Sequence, residues 1–253
     1  MTEDVVARLL HLIDPVCWAR DVLGVDPDPW QADIIGARGE QRLILASRQS
    51  GKSWTTAVRA CHEALFHAPA MILLASPSET QSRELFRKLV GFLDRIPGAP
   101  AAVTQNTTEL ELENGSRICA VPGSERTVRS KSAVTLLIID EASRVEDGLI
   151  GALTPMFATT NGDMIALTTP FGKRGWFYDQ WVSGEGYART KRTAHECPRI
   201  SQAFLDKERA RLGPMMFAAE YMCEFVDDNS SVFSSELIEM ALCDDFEPFC
   251  VAA

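Results

Sequence analysis

The sequence has no C-x-x-C pair, no internal repeat, no low-complexity tract and no apolar run of the ~18 residues that a membrane-spanning helix requires. Basic side chains are also in short supply: 25 Lys and Arg face 35 Asp and Glu, a formal charge of −10. That balance argues against a general nucleic-acid coat protein. Seven cysteines, an odd number, cannot all close into disulfides, which points to a reducing compartment. The opening MTEDVVARLLHLIDP is acidic and lacks both a basic n-region and a small-residue cleavage site. The expectation is a soluble cytosolic protein with no membrane partner.

What is present suits a folded α/β chain. At 253 residues, with 46% hydrophobic and 24% charged side chains, there is material for one large domain and a small appendage. Disorder, collagen and coiled coil are excluded by the same figures. The charge is unevenly placed. Nine acids and no Lys or Arg fall between Glu220 and Ala253, leaving 26 acids against 25 bases before them. A nearly neutral body can still carry a local basic track for a polyanion. Candidates are Arg83, Arg87, Lys88 and Arg95, and then Lys173, Arg174, Arg189, Lys191 and Arg192, with solvated surface as the default reading.

Apolar spacing predicts two short lead-in helices over 1–24, broken at Pro15, and a helix over 31–37 after the turn-rich Asp26-Pro27-Asp28-Pro29. Buried strands are predicted at 43–46, 71–75, 136–139 and 164–167, with helices over 51–66 and 79–96. Asn114-Gly115 between apolar runs at 110–112 and 118–121 is a hairpin signal. Beyond Pro170 come an aromatic helix (Trp176, Phe177, Trp181), a strand at 187–193 and helices over 202–212 and 215–221. Strands alternating with helices predict an open, mostly parallel sheet with ligands at the strand ends.

Two segments carry chemistry. Leu43 to Ala46 leads into Ser47-Arg48-Gln49-Ser50-Gly51-Lys52-Ser53, a strand, a loop and a helix start ending in the Gly-Lys-Ser of a P-loop, with Ala46 where the usual pattern has its first Gly. Loop N–H groups and the helix N-terminus can cradle phosphates, Lys52 supplies charge to the β and γ phosphates, and Ser53 offers its hydroxyl to Mg²⁺. The plain alternative is an ordinary loop with a solvated lysine. Leu136-Leu137-Ile138-Ile139-Asp140-Glu141 is an apolar strand closing on two acids. Asp140 can hold Mg²⁺, and Glu141 is placed to orient and deprotonate a water.

Further readings hang on these two. Trp30-Gln31 precedes the P-loop strand, where a glutamine amide can read an adenine edge or merely cap a helix beside a core tryptophan. Thr168-Thr169-Pro170 can sense the γ-phosphate through Glu141 and its water, or simply end a strand. Arg48 can reach the γ-phosphate from its own subunit, pair with Glu141 in the empty site, or face solvent.

The order Trp30-Gln31, Ser47 to Ser53, Ser76-Pro77-Ser78, Arg129, Ile138-Ile139-Asp140-Glu141 and Thr168-Thr169-Pro170-Phe171-Gly172 resembles the ATPase domain of phage terminase large subunits over about residues 25–226. The resemblance implies a P-loop NTPase that binds ATP and Mg²⁺ and drives double-stranded DNA into a procapsid. It also implies portal protein and terminase small subunit as partners, a homo-oligomeric ring when assembled with monomers in isolation, and the host cytoplasm as location. Trp30, Gln31, Ser47, Gln49, Ser50, Gly51, Lys52, Ser53, Thr168 and Thr169 would contact nucleotide, and Ser53 and Asp140 the metal. Glu141, Arg48 and Arg129 would be catalytic, Arg129 as an arginine finger in trans, with Arg126 its rival and a structural or DNA-facing role its alternative. The implied organisation is an ATPase core over 1–170, a small lid or linker subdomain over 171–226 and an acidic tail over 227–253 leading toward a nuclease domain that is absent, so DNA cutting is not expected. A helicase-like translocase and a nucleotide-gated assembly module without turnover are the alternatives.

Overall fold

The computed structural model describes residues 3–121, 132–157 and 159–226. It opens with α1 (Glu3–Ile13), α2 (Pro15–Leu23) and α3 (Pro29–Gly36). Asp14 ends the first helix and starts the second: its Oδ1 accepts from the N–H groups of Val16 and Cys17, both at 2.9 Å, and Pro15 takes the first helical position, where no donor is lost. The predicted break at Pro15 is therefore a capped helix junction.

The core follows as β1 (Gln41–Ala46), α4 (Lys52–Phe66), β2 (Met71–Ala75), α5 (Glu79–Leu93), β3 (Ala102–Gln105), β4 (Glu109–Leu112) and β5 (Arg117–Val121). Then come β6 (Leu136–Asp140), α6 (Asp147–Leu153), β7 (Asp163–Thr168), α7 (Gly175–Ser183), β8 (Tyr187–Arg192) and α8 (Gln202–Met222). Among the described residues these strands form one eight-stranded sheet in the order β3-β4-β5-β2-β6-β7-β1-β8. From β5 to β8 every pairing is parallel, while β3 and β4 add antiparallel, β4 turning into β5 through Asn114-Gly115 with Gly115 at φ 83°. A P-loop-type α/β sheet flanked by helices is thus the fold.

Parallel strands covered on both faces read as unbroken apolar runs, which is why β1, β2, β6 and β7 were visible in sequence. Alternate residues go to opposite faces. Ile44, Ile72, Leu74, Leu136 and Ile138 join Val58, Ala60, Cys61 and Ala64 of α4 and Leu85 and Leu89 of α5 in one core. Leu43, Leu45, Leu73, Leu137 and Ile139 pack on the other side with Leu149, Ile150 and Leu153 of α6 and Phe177 of α7. Each fully buried side chain of this size contributes roughly 1.5–3 kcal/mol.

The strand predicted at 187–193 lies in the main sheet, paired in parallel with β1. The two helices predicted at 202–221 are halves of α8, bent where Gly213 adopts φ 75° before Pro214. Ala194, Leu205, Phe217 and Tyr221 make a small core of their own there. Among the described residues no helix is long and apolar enough to cross a membrane.

Candidate functional site

β7 lies between β1 and β6, so the carboxyl ends of three neighbouring strands open on one mouth. At ~4.8 Å per strand, Ala46 and Asp140 are separated by about 10 Å, a gap that the start of α4 spans. The chain leaves β1 through a loop in which Gln49 (φ 62°) and Gly51 (φ 94°) take left-handed backbone, and α4 begins at Lys52. The loop is tied down on all sides. Ser47 N–H donates to the Arg192 carbonyl at 2.9 Å, Ser50 Oγ donates to the Ser47 carbonyl at 2.8 Å, and Arg48 N–H donates to the Glu220 carbonyl at 3.1 Å.

Lys52 bends back over this loop, its Nζ donating to the carbonyls of Ala46 at 2.7 Å and Ser47 at 2.8 Å. Burial lowers the lysine pKa, opposed by the charges of Glu141 and Asp140. Ser53, one residue further, donates its Oγ to Asp140 Oδ2 at 3.3 Å. Asp140 shares its sheet face with Leu136 and Ile138, the face α4 covers, and period-two alternation therefore aims the carboxylate at the helix start. Burial raises the Asp140 pKa. Glu141 turns out of the strand with φ 51°, and its pKa is raised first by burial and then by the adjacent Asp140 charge. In both cases burial raises the pKa and the Lys52 ammonium opposes it.

Thr168 ends β7 with its hydroxyl 2.6 Å from Ser143 Oγ, and Ser143 Oγ donates to the Thr169 carbonyl at 2.9 Å. Ser143 sits two residues past Glu141 in the turn Ala142–Arg144, so the end of β7 is stitched to the turn that carries Glu141. Sequence reasoning did not single out Ser143. It is an isolated serine whose meaning comes only from the β6–β7 pairing.

Gln31 is buried and lies against the loop: its Oε1 accepts from Asp28 N–H at 2.9 Å and its Nε2 donates to the Ser50 carbonyl at 3.4 Å. Gly51 takes φ 94°, backbone that an L side chain rarely adopts, and a Cβ there would stand 2.7 Å from that Nε2 and displace the Gln31 amide. Trp30 is buried beside it, with its Nε1 unpartnered. Arg199 was missed in the sequence. It forms a two-pronged ion pair with Asp28, 3.0 Å to Oδ1 and 2.6 Å to Oδ2, and approaches the Ser50 carbonyl at 3.4 Å. No sequence signal joins residues so far apart in the chain.

Arg48 is 66% exposed and its Nε lies 3.4 Å from Glu220 Oε2 on α8. Of the pairings open to it in sequence, the one with Glu141 is not the one formed; Glu141 instead lies 3.8 Å from Arg144 Nε. Arg129 and Arg126 lie outside the described residues. The first basic cluster is partly self-neutralised, Arg83 pairing with Glu79, and Arg87 and Lys88 with Glu84.

The fold recurs in solved phage large terminases. The Thermus phage P74-26 large terminase ATPase domain matches with TM-score 0.71 at 19% identity, covering 87% of this chain and 98% of that one. The HK97 bacteriophage large terminase matches with TM-score 0.69 at 18% identity over 95% of this chain and 59% of that one. The large terminase from a thermophilic bacteriophage, in complex with ATP-gamma-S, matches with TM-score 0.60 at 10% identity over 85% and 52%. This chain therefore spans little more than half the length of those two longer enzymes. The family profile described as terminase large subunit, T4likevirus-type, N-terminal, matches residues 43–240, and the chain belongs to that family.

Proposed function

We propose that the chain binds Mg-ATP at the mouth formed by β1, β6 and β7 and hydrolyses it to drive double-stranded DNA into a procapsid. The observation that carries this reading is the convergence of Lys52, Ser53 and Asp140, with Glu141 next in the chain. The Ser53–Asp140 pair suits a small hard cation: adjacent oxygens around Mg²⁺ at ~2.0–2.1 Å lie about 3 Å apart. When bound, the cation neutralises charge on the β and γ phosphates. Lys52 exchanges its two loop carbonyls for phosphate oxygens, and the N–H groups at the start of α4 hold the rest. Glu141 accepts the proton of the attacking water as its oxygen bonds the γ-phosphorus and the β–γ bridging bond breaks, giving ADP and phosphate.

The remaining assignments fill out this reading. Arg48 turns from Glu220 to the γ-phosphate, Thr168 and Thr169 relay its presence through Ser143, and Trp30 and Gln31 with Ser47, Gln49, Ser50 and Gly51 border the nucleotide. Arg129 reaches the site of the next subunit in a ring, where portal protein and small subunit are the packaging partners. The nucleotide reading draws support from the ATP-gamma-S complex of the thermophilic phage enzyme. Of the expected 171–226 lid, α7 and β8 belong to the main sheet and its core, and the lid or linker role falls to the segment around the separate small core of Ala194, Leu205, Phe217 and Tyr221. Lys52→Ala removes the ammonium placed at the phosphates, so calorimetry should show ATP binding lost. Wild-type affinity in that variant would reject the site.

A further inference from the structure

The corner between α1 and α2 gathers three side chains that the nucleotide site does not use. His11 lies in the last turn of α1, while Cys17 and Asp21 stand four residues apart on α2 and so share one face. His11 Nε2 is 2.9 Å from Asp21 Oδ2, and Cys17 Sγ donates to the same oxygen at 3.5 Å. All three ligand atoms fall within 4.8 Å of one another. An imidazole nitrogen, a sulfur and a carboxylate oxygen make a borderline-soft donor set, one that suits zinc and not magnesium or calcium.

The geometry is close to what such an ion needs. Tetrahedral bonds of about 2.0–2.3 Å place neighbouring ligand atoms roughly 3.3–3.7 Å apart. The sulfur–oxygen pair already meets that spacing, the nitrogen–oxygen pair needs only a small opening, and the nitrogen–sulfur pair lies within 4.8 Å, in reach of a side-chain adjustment. The corner itself is held by other contacts. Asp14 fixes the first turn of α2, Gly24 closes its end in left-handed backbone, and His62 of the buried α4 lies 2.8 Å from the His11 carbonyl. The Asp21 side chain is 58% exposed, which gives an ion an entry path and leaves a fourth position for water.

We propose that His11, Cys17 and Asp21 form a zinc-class divalent transition-metal site with three protein ligands and one water. On binding, the Cys17 S–H bond breaks, the sulfur bonds the ion and the proton passes to the buffer. His11 supplies a neutral lone pair and Asp21 a carboxylate oxygen, so no electrons change hands. The bound ion cross-links α1 to α2 and stabilises the lead-in helices against the core. The site is independent of the nucleotide reading, and Lys52→Ala should leave it intact.

The test uses the full chain, reduced and stripped with a chelator, then titrated with Co²⁺ as a coloured substitute for zinc. A thiolate-to-cobalt charge-transfer band should grow to one equivalent and vanish when Zn²⁺ is added, and calorimetry in two buffers should show one proton released. Cys17→Ser should abolish the band and weaken Zn²⁺ binding by more than the ~10–100-fold that disturbing a supporting residue costs. Asp21→Asn should weaken it as well, while Cys243→Ser and Cys250→Ser keep the band. Zn²⁺ should raise the melting temperature of the wild type and not of Cys17→Ser. Absence of the band in the wild type, its survival in Cys17→Ser, or its loss in Cys243→Ser or Cys250→Ser would overturn the proposal.

Discussion

His62 sits on α4 with no exposed surface, its Nε2 against the His11 carbonyl and its Nδ1 buried without a partner. The neutral ring with its proton on Nε2 fits these surroundings. A second proton on Nδ1 would find no acceptor, and Arg59, His67 and Arg38 nearby oppose it. Burial first, and those charges after it, pull the pKa from 6.5 to about 4. A lowered histidine pKa means the unfolded chain takes up the proton first, so this contribution to stability is full above pH ~6.5 and drains away as pH falls toward 4. The span corresponds to at most about 3 kcal/mol. Urea unfolding at pH 7 and pH 5 should show a larger loss for wild type than for His62→Gln, whose amide can still donate to His11; equal losses would place the pH sensitivity elsewhere. At this same scale the candidate site was legible where its residues are contiguous. Lys52 and Ser53 adjoin, as do Asp140 and Glu141, and each pair comes with its own strand. Arg199, Glu220 and Ser143 were not legible, since each acquires its partner only through tertiary pairing.

Between elements, one buried cluster locks α4 to the sheet. Arg59 of α4, almost wholly enclosed, donates to Glu63 at 2.9 Å, to Asp163 at the start of β7 at 2.8 Å and to the Ala37 carbonyl at 3.1 Å. Asp163 in turn accepts from the N–H groups of Gly39 and Glu40 just before β1. The middle of α4 is thereby held to the strands whose opposite ends form the site. Removing one member of a buried ionic cluster leaves its partners uncompensated, at a cost of about 3–5 kcal/mol. Arg59→Ala should lower the unfolding free energy by that order in urea titrations, and a loss below ~1 kcal/mol would mean the cluster carries little. Legibility of elements followed burial. β1, β2, β6 and β7 announce themselves because both faces are covered, whereas β3 is exposed at every position and shows no apolar alternation. α6 escaped notice because it spans only seven residues and includes Gly148 and Gly151. β8 was seen as a strand, but nothing in its largely polar sequence, Tyr187 to Arg192, says that it borders β1.

For the whole molecule, the proposed ring makes catalysis a property shared between neighbours. An arginine finger contributes roughly 10³–10⁵ in rate, so isolated subunits should turn over slowly even with Lys52, Asp140 and Glu141 in place. Mixing Arg129→Ala with Glu141→Gln subunits under assembling conditions should restore activity, because each supplies the half the other lacks. No recovery in verified mixed assemblies would return Arg129 to its own subunit or remove it from catalysis. The central claim, that this mouth hydrolyses ATP with Glu141 as the base, is reached more directly by single-turnover hydrolysis at protein in excess over ATP, comparing wild type with Glu141→Gln. Glu141→Gln keeps the side chain's shape and loses the proton acceptor. The account predicts wild-type ATP affinity with the hydrolysis rate down by about 10²–10⁴-fold, the usual contribution of a general base. A Glu141→Gln rate within a few-fold of wild type, with ATP bound, would contradict it.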